Sequence, residues 1–123
     1  MIIGIGVDVV HVRRLERWLS VPGLPERFFH PDELESAKSR GHAAALSLAA
    51  RFAAKEAFGK ALGTGLRGIK LGDIQVLNNH NGRPGIVLYG SALERFRNVG
   101  GQSIHLSLTH ERDNAIAMVV MEA

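Results

Sequence analysis

The 123-residue chain contains no cysteine, only four prolines, and seven aromatic side chains. Without thiols it can have no disulfide framework, zinc knuckle, cysteine nucleophile or thiol redox switch. The few aromatics are not interleaved with basic residues, which argues against a stacking platform for nucleic acid. No apolar run approaches a membrane span, and Met1 leads into Ile2-Ile3-Gly4-Ile5-Gly6 with no basic leader, so a cytoplasmic protein with no membrane partner is expected. What is present is an ordinary globular balance: 46% hydrophobic and 22% charged residues, with 15 Lys and Arg against 12 Asp and Glu. The resulting charge of +3 suits an anionic partner, whether nucleic acid, a phosphate ligand or an acidic protein. One domain, residues 1–123, is expected; at this size it buries only about 65% of its unfolded surface, so a larger core requires self-association.

Gly and Pro punctuate short elements, and no linker or repeat is visible. Residues 2–10 read as a strand, with Ile3, Ile5, Val7 and Val9 on one side and Gly4, Gly6 and Asp8 on the other. A first helix is expected over residues 11–19, and a second from Pro31 to a stop at Gly41. Residues 42–62 hold nine alanines and no proline, predicting a long helix that Gly63 ends. Strands over 73–78 and 86–89 flank an Asn-Gly turn, a short helix spans 91–99, and strands over 104–109 and 115–121 close the chain. The hairpins favour antiparallel pairing, and the class is α+β.

Two polar groups stand where apolar ones are expected. Leu48, Phe52, Lys55, Gly59 and Leu62 fall on one helical stripe, with a lysine in its middle. Glu56 lies at the edge of that stripe and Lys60 one turn beyond; such a pair also occurs on solvated helix faces, where it contributes about 0.2 to 0.5 kcal/mol. Asp8 interrupts a strand, where an ionised carboxylate must be paired, hydrogen-bonded or metal-bound, unless it caps the following helix. The glycines beside it leave space for a ligand or another backbone. Asp8 and Glu56 together suit magnesium, which takes oxygen donors and often only one or two protein carboxylates, and Lys55 and Lys60 suit phosphates. The six histidines show no zinc spacing. Gly63-Thr64-Gly65 serves equally as a helix stop or as a backbone approach to phosphate.

Gly4-Ile5-Gly6-Val7-Asp8, Arg51-Phe52-Ala53-Ala54-Lys55-Glu56-Ala57-Phe58-Gly59-Lys60-Ala61, Gly63-Thr64-Gly65, Asn81-Gly82-Arg83-Pro84 and Leu106-Ser107-Leu108-Thr109-His110 occur in that order. In these motifs the chain resembles the holo-[acyl-carrier-protein] synthase family, the short bacterial type of 4′-phosphopantetheinyl transferase. The resemblance implies the fold of that family and transfer of 4′-phosphopantetheine from coenzyme A to a serine of apo acyl carrier protein, releasing 3′,5′-ADP, in support of fatty acid biosynthesis. By position it implies that Asp8 and Glu56 hold magnesium, that Lys60 assists the departing phosphate, and that Lys55 binds pyrophosphate or orients Glu56. Arg51, Gly63, Gly65, Arg83 and His110 are implied coenzyme A contacts. Arg13, Arg14 and Arg17 match the surface that receives the carrier protein; without the resemblance they read as a solvated face. The family is a homotrimer with active sites between subunits, and the same is implied here.

One departure is His11, where the family often has an acid three residues after the metal-binding aspartate; it puts a further carboxylate near the metal in doubt. Two other readings remain at this point. A small basic nucleic-acid-binding module fits the charge but lacks a motif, and a non-catalytic relative is opposed by the presence of Asp8, Glu56 and Lys60.

Overall fold

The alternation of side chains along the first and last strands decides which faces meet the long helix. In the computed structural model, which describes residues 1–123, β1 (Ile2–His11) runs into α1 (Val12–Leu19), α2 (Leu24–Phe28), α3 (Pro31–Lys38) and the long α4 (Ala44–Leu62). The hairpin of β2 (Ile74–Asn78) and β3 (Pro84–Leu88) follows, then α5 (Gly90–Asn98), β4 (Ser103–His110) and β5 (Asn114–Glu122). The main sheet has the order β1-β5-β4, and β2-β3 stands apart. All pairings are antiparallel, as the sequence predicts for an α+β chain.

Ala115, Ala117, Val119 and Met121 of β5 are fully buried beneath α4. Opposite them on β1 stand Val10, Asp8, Gly6 and Gly4, so the glycine and aspartate side of β1 is the inward one. A Cβ on Gly6 would lie 1.9 Å from the Ala57 carbonyl oxygen, and one on Gly4 1.9 Å from that of Ala61. Two strand residues advance about 6.8 Å and four helix residues about 6.0 Å, so β1 and α4 run past each other in nearly matched steps. The space beside the glycines is therefore filled by another backbone.

Helix α4 is enclosed on more than one side: 13 of its 19 residues are buried, and the single apolar stripe expected from its spacing is too narrow a description. Gly63, at φ 82°, ends it as predicted. The other side of β1 is open, with Ile5 58%, Val7 54% and Val9 57% exposed beside Met118 at 46% on β5.

Several boundaries move for local reasons. His11 remains in β1, and its Nδ1 accepts a hydrogen bond from the Arg13 N–H, so His11 rather than Asp8 caps α1. Helix α2 was not anticipated, because Pro25 reads as a breaker; it sits in the first turn, where a missing N–H is harmless. Helix α3 ends at Lys38, and Gly41 instead opens a short 3₁₀ turn. Asp73 belongs to another 3₁₀ turn, so β2 starts at Ile74. Pro84 begins β3, a strand position that tolerates proline.

Candidate active site

The inward alternation of β1 carries Asp8 to the side of α4 that bears Glu56 and Lys60. The Lys60 ammonium donates to Asp8 Oδ1 at 3.0 Å and to the Val7 carbonyl at 2.9 Å. The Asp8 side chain is 18% exposed and that of Lys60 55%, so the pair forms a half-open ion pair at the edge of the sheet. Burial, reinforced by the facing Asp8 carboxylate, pushes the Glu56 carboxyl above its ordinary range, while Arg14 and Lys60 oppose the shift. A Glu56 carboxylate whose charge is disfavoured by burial and by the nearby Asp8, with solvent access and no soft donor, is one that a hard divalent cation would relieve. No cluster of three or more metal-ligating side chains occurs in the chain, so the protein donors would be these two carboxylates, leaving positions for water and phosphate oxygens.

Lys55 is not at this site. Its side chain is fully buried and its ammonium donates to Glu33 Oε1 at 2.6 Å and to the carbonyls of Leu71 and Ile74 at 2.8 and 2.7 Å. All three protons are used, so the group has none to offer a pyrophosphate, and it reaches towards Glu33 rather than Glu56. Burial lowers its pKa and Glu33 opposes that change. The lysine in the apolar stripe was thus a true anomaly with a structural answer.

Arg51 and His110 meet elsewhere, in the wall of a cavity of about 200 Å³ that Arg40, Ser47, Val76 and Thr109 also line. The Arg51 guanidinium donates to the Val76 carbonyl and to Ser36 Oγ at 3.1 Å, and its Nε to Ser47 Oγ at 3.4 Å. Its pKa is lowered by burial, with Glu33 opposing. Five residues along a helix correspond to a rotation of about 140°, so Arg51 and Glu56 leave α4 on different sides. Arg83 lies apart from both groups, in the β2-β3 turn, where its N–H donates to Asn79 Oδ1.

Gly63 and Gly65 follow Lys60 directly. The Gly65 N–H closes onto the Gly59 carbonyl at 3.0 Å. Arg95 of α5 grips the loop, donating to Thr64 Oγ1 at 3.1 Å and to the Arg67 carbonyl at 3.0 Å. On α1, Arg13, Arg14 and Arg17 are all exposed. Arg14 differs from the other two: its guanidinium lies 4.9 Å from the Trp18 ring centre and 5.1 Å from that of Phe52, within electrostatic reach of Glu56. Sequence reasoning missed Glu33, Arg40 and Arg95. Glu33 reads as a helix first-turn acid, and the two arginines carry no local signal.

Two acids and a lysine joined from β1 and α4 occupy the positions of the most specific motifs, and comparison with known proteins decides what they belong to. The model of the 4′-phosphopantetheinyl transferase superfamily matches residues 4–119. The chain belongs to this superfamily. A holo-[acyl-carrier-protein] synthase of Treponema denticola is 58% identical over 122 residues, covering 99% of each chain. Another from Treponema pallidum is 48% identical, covering 99% of this chain and 97% of the relative. Among solved structures, the holo-[acyl-carrier-protein] synthase of Neisseria meningitidis superposes with a TM-score of 0.88 at 37% identity, with 100% of both chains covered. The Helicobacter pylori synthase in complex with coenzyme A gives 0.82 at 31% identity, covering 96% of this chain and 99% of that one. The transferase fold expected from the motifs is thus the fold present, and a nucleic-acid module is not needed to explain the basic charge.

Proposed function

We propose that the chain transfers 4′-phosphopantetheine from coenzyme A to a serine of apo acyl carrier protein, giving holo acyl carrier protein and 3′,5′-ADP. The observation that carries this reading is the convergence of Asp8, Glu56 and Lys60 from two elements, in a chain 58% identical to a holo-[acyl-carrier-protein] synthase. Asp8 and Glu56 would hold magnesium through carboxylate oxygens; when bound, the ion would supply charge neutralisation on the pyrophosphate. The serine oxygen bonds to the β-phosphorus as the bond from that phosphorus to the bridging oxygen breaks, and the serine proton passes to the Asp8 carboxylate or to water. Lys60, solvent-accessible and oriented by Asp8, stabilises or protonates the departing phosphate. The exposed arginines of α1 receive an acidic carrier surface, and attraction of this kind is salt-sensitive. Gly63, Gly65 and Arg83 are further coenzyme A contacts, and the activity supports fatty acid biosynthesis in the cytoplasm. No helix is long and apolar enough to cross a membrane.

A homotrimer with shared sites completes the reading. Arg51 and His110 line one cavity while Glu56 faces Asp8 on another side of α4, so coenzyme A contacts and the carboxylates are brought together by neighbouring copies. The open apolar face of β1 and β5 supplies a surface for that assembly. Incubating the protein with apo acyl carrier protein, coenzyme A and magnesium, then weighing the carrier by mass spectrometry, tests the activity. The phosphopantetheine arm is the expected added mass, and its absence across several carrier proteins overturns the proposal.

A further inference from the structure

Arg51 and Lys55 stand one turn apart on α4, both buried, and both tie that helix to the same two neighbours. Lys55 reaches Glu33 on α3 and the Leu71 and Ile74 carbonyls; Arg51 reaches Ser36 on α3 and the Val76 carbonyl. Glu33 is the hinge of this arrangement. Its Oε1 also accepts the His30 N–H at 2.9 Å, and its Oε2 accepts the Val76 N–H at 3.0 Å. Val76 is therefore held from both sides, its N–H by Glu33 and its carbonyl by Arg51. A guanidinium carries five N–H groups, and three protein acceptors leave two of them for the adjoining cavity.

We propose that Glu33 and Lys55 are a positioning pair for coenzyme A binding, which fixes Val76 and through it the Arg51 guanidinium in the wall of the cavity shared with Arg40 and His110. Neither Glu33 nor Lys55 touches the substrate; Arg51 meets one of its phosphates. The inference rests on the transferase reading and adds to it a function for the buried lysine of the central motif. A buried ion pair is not needed for stability as such, because apolar groups of similar volume often replace one without loss. Its geometry, by contrast, is hard to replace: one donor (the Val76 N–H) and two acceptors (the Leu71 and Ile74 carbonyls) on β2 and the preceding turn, together with the His30 N–H at the start of α3, are satisfied only when both members are present.

The test is a coupling measurement on the full chain. The dissociation constant for coenzyme A is read by calorimetry without carrier protein, alongside KM, kcat and thermal unfolding. Arg51→Ala and the neutral pair Glu33→Gln/Lys55→Met are each expected to weaken coenzyme A binding about tenfold, the effect of losing or misplacing one charge-assisted hydrogen bond. Combined, the three substitutions are expected to weaken it by little more than either alone, because both act through the same guanidinium. A partly unfolded sample lowers apparent kcat but leaves KM unchanged, so a raised KM separates positioning from simple loss of fold. Glu33→Asp, which keeps the charge and shortens its reach, is the second variant and is expected to weaken binding in the same direction. Unchanged affinity in a folded variant, or fully additive losses, overturns the inference. If the wild-type chain binds coenzyme A but transfers nothing, the functional reading fails while the coupling is still measured.

Discussion

Replacing Gly6 by alanine tests how closely catalysis depends on the contact between β1 and α4. The new Cβ would lie 1.9 Å from the Ala57 carbonyl oxygen, and real Cβ contacts do not fall below 3.0 Å. Because the obstacle is helix backbone, α4 must recede from β1 by about 1 Å, a distance that no side-chain rotation absorbs. The Lys60 to Asp8 contact, now 3.0 Å, then stretches towards 4 Å and Glu56 moves away from Asp8 with it. Overpacking of this kind costs about 1 to 3 kcal/mol. For a chain of this length that corresponds to a fall in Tm of about 4 to 12 °C. A misplacement of about 1 Å at reacting groups costs about 100-fold in rate. Gly6→Ala is therefore expected to remain folded at 25 °C while kcat for phosphopantetheine transfer falls about 100-fold. Gly72→Ala is the control, because a Cβ there meets nothing within 4 Å. Wild-type kcat in Gly6→Ala, or a loss no larger than its unfolded fraction, refutes the argument.

Three further outcomes follow from the site. The raised Glu56 pKa means that the folded chain binds a proton more tightly there than the unfolded chain, so this group's contribution to stability falls as pH rises from the ordinary carboxylate range through the raised value. Measured in a chelating buffer, Glu56→Gln is expected to raise Tm at pH 8, with the gain lost near pH 4, and magnesium is expected to stabilise the wild type but not the variant; an unchanged Tm at pH 8 contradicts the burial of Glu56 beside Asp8. Arg95→Ala removes the hydrogen bonds to Thr64 Oγ1 and to the Arg67 carbonyl that hold the loop after α4, and is expected to raise KM for coenzyme A about threefold to tenfold with little change in Tm. Arg14→Glu is expected to weaken carrier-protein binding and its salt dependence; if coenzyme A affinity falls and carrier affinity does not, the docking assignment is wrong.

Much of this was legible in the residues, and what was hidden has a common cause. Helix α4, its glycine stop and the antiparallel hairpins follow from composition and turn chemistry, which are local. Asp8 and Lys55 announced themselves because a charge in an apolar pattern demands a partner. Their partners were harder to see: Lys60 lies 52 residues from Asp8 and Glu33 lies 22 residues from Lys55, and nothing in a single sequence records such pairings. The alternation of β1 was read correctly, yet it did not say which side faces inward. Glycines rather than isoleucines meet the core, because only they admit the α4 backbone at that distance. Helix α2 was hidden by a proline whose position within a turn, not its presence, decides its effect.

The stacking of Arg14 on Trp18 gives the protein a built-in optical reporter. Trp18 is the only tryptophan in the chain, its ring packs against Phe28 and Phe52, and the one cation over it belongs to the surface proposed to receive the carrier. An acidic partner that draws the guanidinium aside alters the electric field across the indole, and with it the emission. Docking can then be followed by intrinsic fluorescence, with no label attached and no turnover required.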